Sequence, residues 1–187
     1  MNAAPRRALF LDRDGVINED TGYLHEAAKC RFVDGVFDLA RGFAESGHAI
    51  VIITNQAGIG RGYYTEETFQ NFMRWMLGEF ASRGVTIEAF YYCPDHPTEG
   101  LGQYRRDTPR RKPGPGMFLE AGRDLGLDLR RSWCVGDKLT DIDAGRAAGV
   151  GTLIRYQPLA PAVTKCQDFW VVPRLADVLE LLARDRG

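Results

Sequence analysis

Apolar residues fall along this chain in two alternating rhythms. Short runs rich in β-branched and aromatic residues, RALFLD, HAIVIIT, IEAFYY, SWCVGD, GTLIRY and DFWVV, read as strands, and HAIVIIT is apolar enough to be covered on both faces. Between them the apolar positions recur at helical spacing. Val36, Phe37, Leu39, Ala40 and Phe43 share one face of a helix that Asp34 is placed to cap and Gly47 to end. Thr65, Glu66 and Glu67 open a second helix carrying Phe69, Phe72, Met73, Met76 and Phe80, closed by Gly84. Further helices are predicted from Pro115 to Leu125 with Gly126 as the stop, from Leu139 to Ala148, and from about Leu175 onward. Six strands alternating with helices predict an α/β fold, a parallel sheet with helices on both faces. The inserts after the first two strands are too short for a separate cap domain, so residues 1–187 are expected to form a single domain.

Right-handed crossovers bring the carboxyl ends of such strands to one edge, where ligands bind. On its own, LFLDRDGVINED could be a strand followed by a polar turn, since Asp and Gly are ordinary turn residues. The other strand ends change that reading. Thr54 and Asn55 follow the second strand, a loop from Cys93 to Lys112 follows the third, and Asp137, Lys138 and Asp141 follow the fourth. Acids, a hydroxyl and a lysine gathered at one crevice suit a phosphate ester. Mg²⁺ takes oxygen ligands, usually one or two carboxylates with water and phosphate, and Asp12 and Asp137 would hold it. Lys112 and Thr54 can stabilise the charge that spreads over the phosphoryl oxygens, and Asp12 can attack phosphorus. Asp14, two residues on and on the same side of an extended chain, can protonate the leaving alkoxide and later deprotonate water.

Composition narrows the partners. Among 187 residues, 44% are hydrophobic and 26% charged, the balance of a globular protein. A net charge of -1 and a pI of about 6.3 provide no overall field for nucleic acid or an anionic membrane. No apolar run approaches the ~20 residues of a membrane span, and MNAAPRRALFLD lacks the pattern of a signal peptide, so a cytoplasmic location is expected. Cys30, Cys93, Cys134 and Cys166 stand far apart and read as free thiols.

DRDGV (Asp12 to Val16), VIITN (Val51 to Asn55), RKP (Arg111 to Pro113) and VGDKLTD (Val135 to Asp141) occur in the order of the four motifs of the haloacid dehalogenase (HAD) superfamily of phosphatases, which the chain resembles. With GYL at Gly22 to Leu24, TNQAGIGRGYY, YYCPDHP and RKPGPGM, it is similar more narrowly to the bacterial D-glycero-D-manno-heptose 1,7-bisphosphate 7-phosphatases, a branch near the histidinol-phosphate phosphatases. The resemblance implies a Rossmann-like, HAD-type single domain that hydrolyses the C7 phosphate of a heptose bisphosphate, a small-molecule sugar phosphate. It further implies an aspartyl-phosphate intermediate and a product that leads towards nucleotide-activated heptose for lipopolysaccharide. Asp12 becomes nucleophile and Mg²⁺ ligand, Asp14 acid/base with a main-chain contact to the metal, and Asp137 the second carboxylate ligand. Thr54, Asn55 and Lys112 would hold the transferring phosphoryl group. Substrate contacts fall on Asp20, Thr21, Gly22, Tyr23, Thr54, Asn55, Gln56, Ala57, Arg111, Lys112 and Lys138, with Arg111 suited to clasp a second phosphate.

The chain departs from that family in one place. Where many members carry a Cys-x-His and Cys-x-Cys zinc site it has Cys93, Asp95, Thr108 and Arg110, so no structural zinc is expected. Prolines and salt bridges among Arg105, Arg106, Asp107, Arg110 and Arg111 are candidates to brace the loop instead. Asp141 could support Lys138 or a metal-bound water, or face solvent. GIGRG, residues 58 to 62, lacks a phosphate-loop pattern and is expected to line the pocket entrance. His25 and His48 read as surface or capping residues. A monomer without nucleic-acid or membrane partners is expected. The rival readings are a phosphatase for histidinol phosphate or a nucleic-acid 3′-phosphate, and a non-catalytic phosphate-binding protein.

Overall fold

Alternation within the strands decides how the sheet is covered. The computed structural model describes residues 6–185; residues 1–5, where the MNAAPRRALFLD stretch begins, and 186–187 lie outside the described residues. β1 (Arg7–Leu11), β2 (His48–Asn55), β3 (Ala89–Cys93), β4 (Trp133–Gly136), β5 (Thr152–Tyr156), β6 (Thr164–Cys166) and β7 (Phe169–Val172) form one seven-stranded sheet in the order β3-β2-β1-β4-β5-β7-β6. Every pairing is parallel except that of β6 with β7. The helices are α1 (Val36–Glu45), α2 (Ala57–Gly60), α3 (Glu66–Ala81), α4 (Gly116–Leu125), α5 (Leu139–Ala148) and α6 (Leu175–Asp185).

Successive side chains of a strand point to opposite faces. Leu9, Leu11, Ile50 and Ile52 therefore pack with Phe43 of α1, Met73 of α3 and Val178 of α6. Ala8, Phe10, Val51 and Ile53 pack with Met117 and Phe118 of α4 and Ile142 of α5 on the other side. The apolar runs are continuous because both faces are buried, and the expected α/β class holds. β1 lies between β2 and β4, so the order reverses at its carboxyl end. That topological switch point is where a crevice opens in an open parallel sheet.

Three local expectations change. DFWVV is the seventh strand, because Thr164–Cys166 forms an antiparallel edge that a three-residue polar segment does not advertise through hydrophobic pattern. α1 is preceded by Gly35 at φ 79°, a left-handed position, rather than capped by Asp34. His48 is buried at the start of β2, with its Nδ1 2.7 Å from the Ser46 hydroxyl and its ring edge-on to Phe43, so it is not a surface residue.

Phe118 is buried edge-on against Phe10, with ring centroids 5.0 Å apart. Replacing it with alanine is expected to lower unfolding free energy by about 3–5 kcal/mol. Urea denaturation measures this, and a loss below about 1 kcal/mol would remove Phe118 from the core that supports β1.

Candidate active site

β1 continues by one hydrogen bond beyond its last residue, from Asp12 N to Val135 O at 3.0 Å, and this sets the Asp12 carboxylate at the mouth of the switch point. Its Oδ1 accepts from Arg13 N at 2.7 Å and lies 2.8 Å from Lys112 Nζ. Lys112 comes from the loop after β3. Asn55 grips its main chain in both directions, accepting from Lys112 N and donating to Lys112 O, each at 3.0 Å. The Lys112 ammonium also donates to Ile53 O at 2.9 Å and pairs with Asp141 Oδ1 at 2.5 Å.

Asp141 is 1% exposed, which excludes the solvent-facing alternative. Its Oδ2 accepts from Lys138 N at 3.0 Å, so one carboxylate caps α5 and holds Lys112. Gly136 makes this approach possible, since a Cβ there would stand 2.2 Å from Asp141 Cβ. Gly15, at φ 94°, serves Asp137 in the same way, a Cβ there falling 2.5 Å from Asp137 Oδ2.

Charge in this site is tightly shared. Burial pushes the Asp12 carboxyl up to about 7, with Lys112 pulling it down and Asp141 and Asp137 adding to the rise. Burial alone would lower Lys112, but Asp12 and Asp141 outweigh it and raise it, so the ammonium stays charged. Asp137 is raised by burial and by Asp141, against the pull of Lys138. Asp12, Asp137 and Asp141 offer ligand oxygens all within 4.8 Å of one another, and Asp137 Oδ1 is buried without a hydrogen-bond partner among the described residues. An unpartnered buried carboxylate oxygen beside two others fits a hard divalent cation.

Asp14 is held at the pocket wall by Arg13, through Nε at 3.1 Å and Nη2 at 2.7 and 2.8 Å, by Asn18 at 3.0 Å and by Gln56 at 3.0 Å. Arg13 itself is fully buried, its guanidinium 5.2 Å from the Phe72 ring centroid. Gln56 also donates to the Thr54 hydroxyl at 2.8 Å and accepts from Tyr64 at 2.6 Å. Across the mouth, Lys138 Nζ reaches Asp20 Oδ2 at 3.0 Å and ties the 20–23 loop to the end of β4.

These groups surround a cavity of about 490 Å³ that includes every site residue expected from sequence except Thr21 and Asp137. Asp137 stands in the acid cluster beside it, and Thr21 is exposed. Gly58 and Arg61 of the GIGRG stretch line the cavity as expected, whereas sequence reasoning missed Tyr64 and Thr140 in the lining and the burial of Arg13. An arginine between two acids reads as polar turn chemistry, and only packing shows it beneath an aromatic pair.

The loop after β3 is braced differently from the expected pattern. Arg106 pairs with Asp95 at 3.0 Å and Arg110 with Glu120 at 2.8 Å, so the acidic partners are Asp95 and Glu120 rather than Asp107. Arg105 donates to Thr98 O, Arg110 to Tyr92 O and Arg111 to Asp95 O, at 2.7, 2.9 and 3.1 Å.

A carboxylate at the end of β1, with a lysine from one side and further acids from the other, defines a phosphohydrolase on a Rossmann-like sheet. The HAD-hydrolase-like family model matches residues 109–155. A HAD-like chain from Mesorhizobium loti superposes with a TM-score of 0.86 at 34% identity, covering 97% of this chain and 88% of that one. The D,D-heptose 1,7-bisphosphate phosphatase of B. bronchiseptica, solved with magnesium and phosphate, gives 0.79 at 26% identity over 96% and 99%. Among curated relatives, the D-glycero-β-D-manno-heptose-1,7-bisphosphate 7-phosphatase of Escherichia coli (strain K12) is 43% identical over 96% of this chain and 95% of its own. The D-glycero-α-D-manno-heptose-1,7-bisphosphate 7-phosphatase of Burkholderia mallei is 53% identical over 79% and 78%. This chain belongs to the HAD-like hydrolases, in the family of the heptose 1,7-bisphosphate 7-phosphatases.

Asp141→Ala removes one partner of a buried ammonium and the cap of α5 together, and is expected to lower stability by about 3 kcal/mol. Asp141→Asn, which keeps an acceptor for Lys138 N, should lose less. Paired denaturation curves test this, and equal losses would show that the charge rather than the cap dominates.

Proposed function

We propose that this protein is a Mg²⁺-dependent phosphomonoesterase that removes the C7 phosphate of a D-glycero-D-manno-heptose 1,7-bisphosphate and releases heptose 1-phosphate. The observation that carries the reading is the Asp12 carboxylate at the end of β1, bonded to a buried Lys112 and facing a pocket that also holds Arg111 and Lys138. The names of the relatives supply the sugar.

Asp12 attacks phosphorus as the bond from phosphorus to the C7 oxygen breaks, forming an aspartyl-phosphate. Asp14 gives its proton to the departing alkoxide, then takes one from the water that attacks phosphorus and frees Asp12. Lys112, the Thr54 hydroxyl and the main chain near Asn55 stabilise the phosphoryl oxygens. Asn55 acts by its grip on Lys112. Asp12 and Asp137, with the Asp14 main chain, would hold Mg²⁺. When bound, the metal offsets the repulsion between these carboxylates and a phosphate dianion. Arg111 in the lining favours a second anion over the amine of histidinol phosphate.

The proposal extends to the protein as a whole. Residues 1–187 act as a single domain without a separate cap, as a cytoplasmic monomer working on a small sugar phosphate, independently of nucleic acid and membrane. The product enters the making of nucleotide-activated heptose for lipopolysaccharide. Among the described residues no helix is long and apolar enough to cross a membrane.

Phosphate release from the α and β heptose bisphosphates, histidinol phosphate and an aryl phosphate, with Mg²⁺ and with chelator, tests the reading. Metal-dependent turnover should strongly favour one heptose anomer; equal turnover of histidinol phosphate would sink the substrate. Asp12→Asn should abolish turnover, and Asp14→Asn should lower kcat by about 10²–10⁴. An Asp14 variant within a few-fold of the parent would remove it as the acid/base group.

Metal affinity should also depend on pH. Burial raises the Asp12 carboxyl to about 7, so below that value a proton must leave before the carboxylate can ligate. Mg²⁺ affinity should weaken about tenfold per pH unit as pH falls below about 7. Calorimetric titration between pH 5.5 and 8 reads this slope, taken as roughly one proton, and a flat profile would contradict it.

A further inference from the structure

The glycine-rich stretch after β2 delivers a cation that the chemistry above leaves unused. Arg61 directly follows α2 and lines the same cavity as Asp12 and Arg111. Main-chain bonds hold the segment: Arg61 N donates to Ala57 O at 2.9 Å, and Leu101 N donates to Gly60 O at 2.7 Å, tying α2 to the loop after β3. A Cβ on Gly60 would lie 2.4 Å from Pro94 O, so the two backbones touch.

The Arg61 guanidinium pairs through Nη2 with Glu99 and donates through Nη1 to the Tyr23 hydroxyl. Its carbon stands 5.5 Å from the Tyr23 ring centroid. Nε is buried and has no hydrogen-bond partner among the described residues. Arg111 is held by Asp95 O at 3.1 Å, and burial and the nearby Arg61 both push its guanidinium below its ordinary range. Two like charges converging on one cavity, one of them with an unpaired buried donor, form an arrangement that an anion relieves.

We propose that Arg61 is a specificity-determining residue: with Arg111 it grips the phosphate remote from Asp12, and Glu99 competes with that phosphate for the Arg61 guanidinium. The inference rests on the reading of the substrate as a sugar bisphosphate. Planar guanidinium forks match phosphate oxygens bidentately. Glu99 is a rim carboxylate, its side chain 56% exposed, and pairs of that kind are weak and readily exchanged. A phosphate dianion offers more charge and replaces it. A monophosphate has no second anion and leaves the Arg61–Glu99 pair in place. The same exchange frees the Tyr23 hydroxyl, on the loop that Asp20 ties to Lys138, to follow the substrate.

The test is competition against p-nitrophenyl phosphate hydrolysis by α-D-mannose 1,6-bisphosphate and by mannose 6-phosphate. The ratio of the two Ki values is read within each variant, so any general change in activity cancels. The parent should prefer the bisphosphate. Arg61→Met should reduce that preference about tenfold, the scale of one lost charge-assisted contact, and Arg61→Lys by less. Glu99→Gln, a rim change that leaves the fold intact, should raise it about threefold by removing the competitor. A parent without preference, an Arg61→Met variant that keeps it, or a Glu99→Gln variant that loses it would each overturn the proposal. Loss of preference in Arg61→Met together with failure to hydrolyse either heptose bisphosphate would instead remove the heptose and leave this inference standing.

Discussion

The ammonium of Lys112, buried between Asp12 and Asp141, is the contact on which the rest of the site depends. A charge withdrawn this far from water is tolerated only where it is paired and its donors are filled. Here Asp12, Asp141 and Ile53 O supply that. Three chain segments far apart in sequence are thereby held together: the end of β1, the loop after β3 and the first turn of α5. The arrangement also acts on Asp12, whose carboxyl is pushed up by burial and drawn back by the lysine.

Around that centre, single groups serve two purposes. Asp141 caps α5 and fixes Lys112, while Asn55 ends β2 and clamps the Lys112 main chain. Gln56 ties the Thr54 hydroxyl, Asp14 and Tyr64 into one network. Such networks are rigid because each member has its partners, and a rigid site stabilises charge without reorganising. The pocket mouth is built on another scale, from exposed ion pairs such as Lys138 with Asp20 and Arg61 with Glu99. Weak, solvated pairs suit the part of a site that must open to a charged sugar.

The loop after β3 is braced largely by arginines. Cys93 Sγ lies 3.8 Å from Asp95 Oδ2, Arg110 N lies 3.3 Å from the Thr108 hydroxyl, and Arg110 reaches back to Tyr92 O. Arginines bonding to backbone carbonyls spread the work over several modest contacts, and one of these, Arg111 to Asp95 O, directly aims a pocket guanidinium.

Much of this was legible in the sequence. The apolar runs revealed the strands because burial on both faces demands continuous hydrophobicity, and the motifs at their ends placed Asp12, Asp14, Thr54, Lys112 and Asp137 at one edge. The Thr65 cap and the Gly126 stop were likewise local chemistry, and both hold. What sequence could not decide was the state of side chains whose partners are distant. Arg13, between two acids, lies buried against Phe72; Asp141 could have faced water and instead holds Lys112; Arg61, in the stretch expected at the pocket entrance, pairs with Glu99 of the loop after β3. Propensity and pattern are properties of neighbours along the chain, so they determine elements and their ends. Burial of a charge and the choice of its counter-ion depend on which segments meet across the sheet edge, and only the tertiary structure decides that.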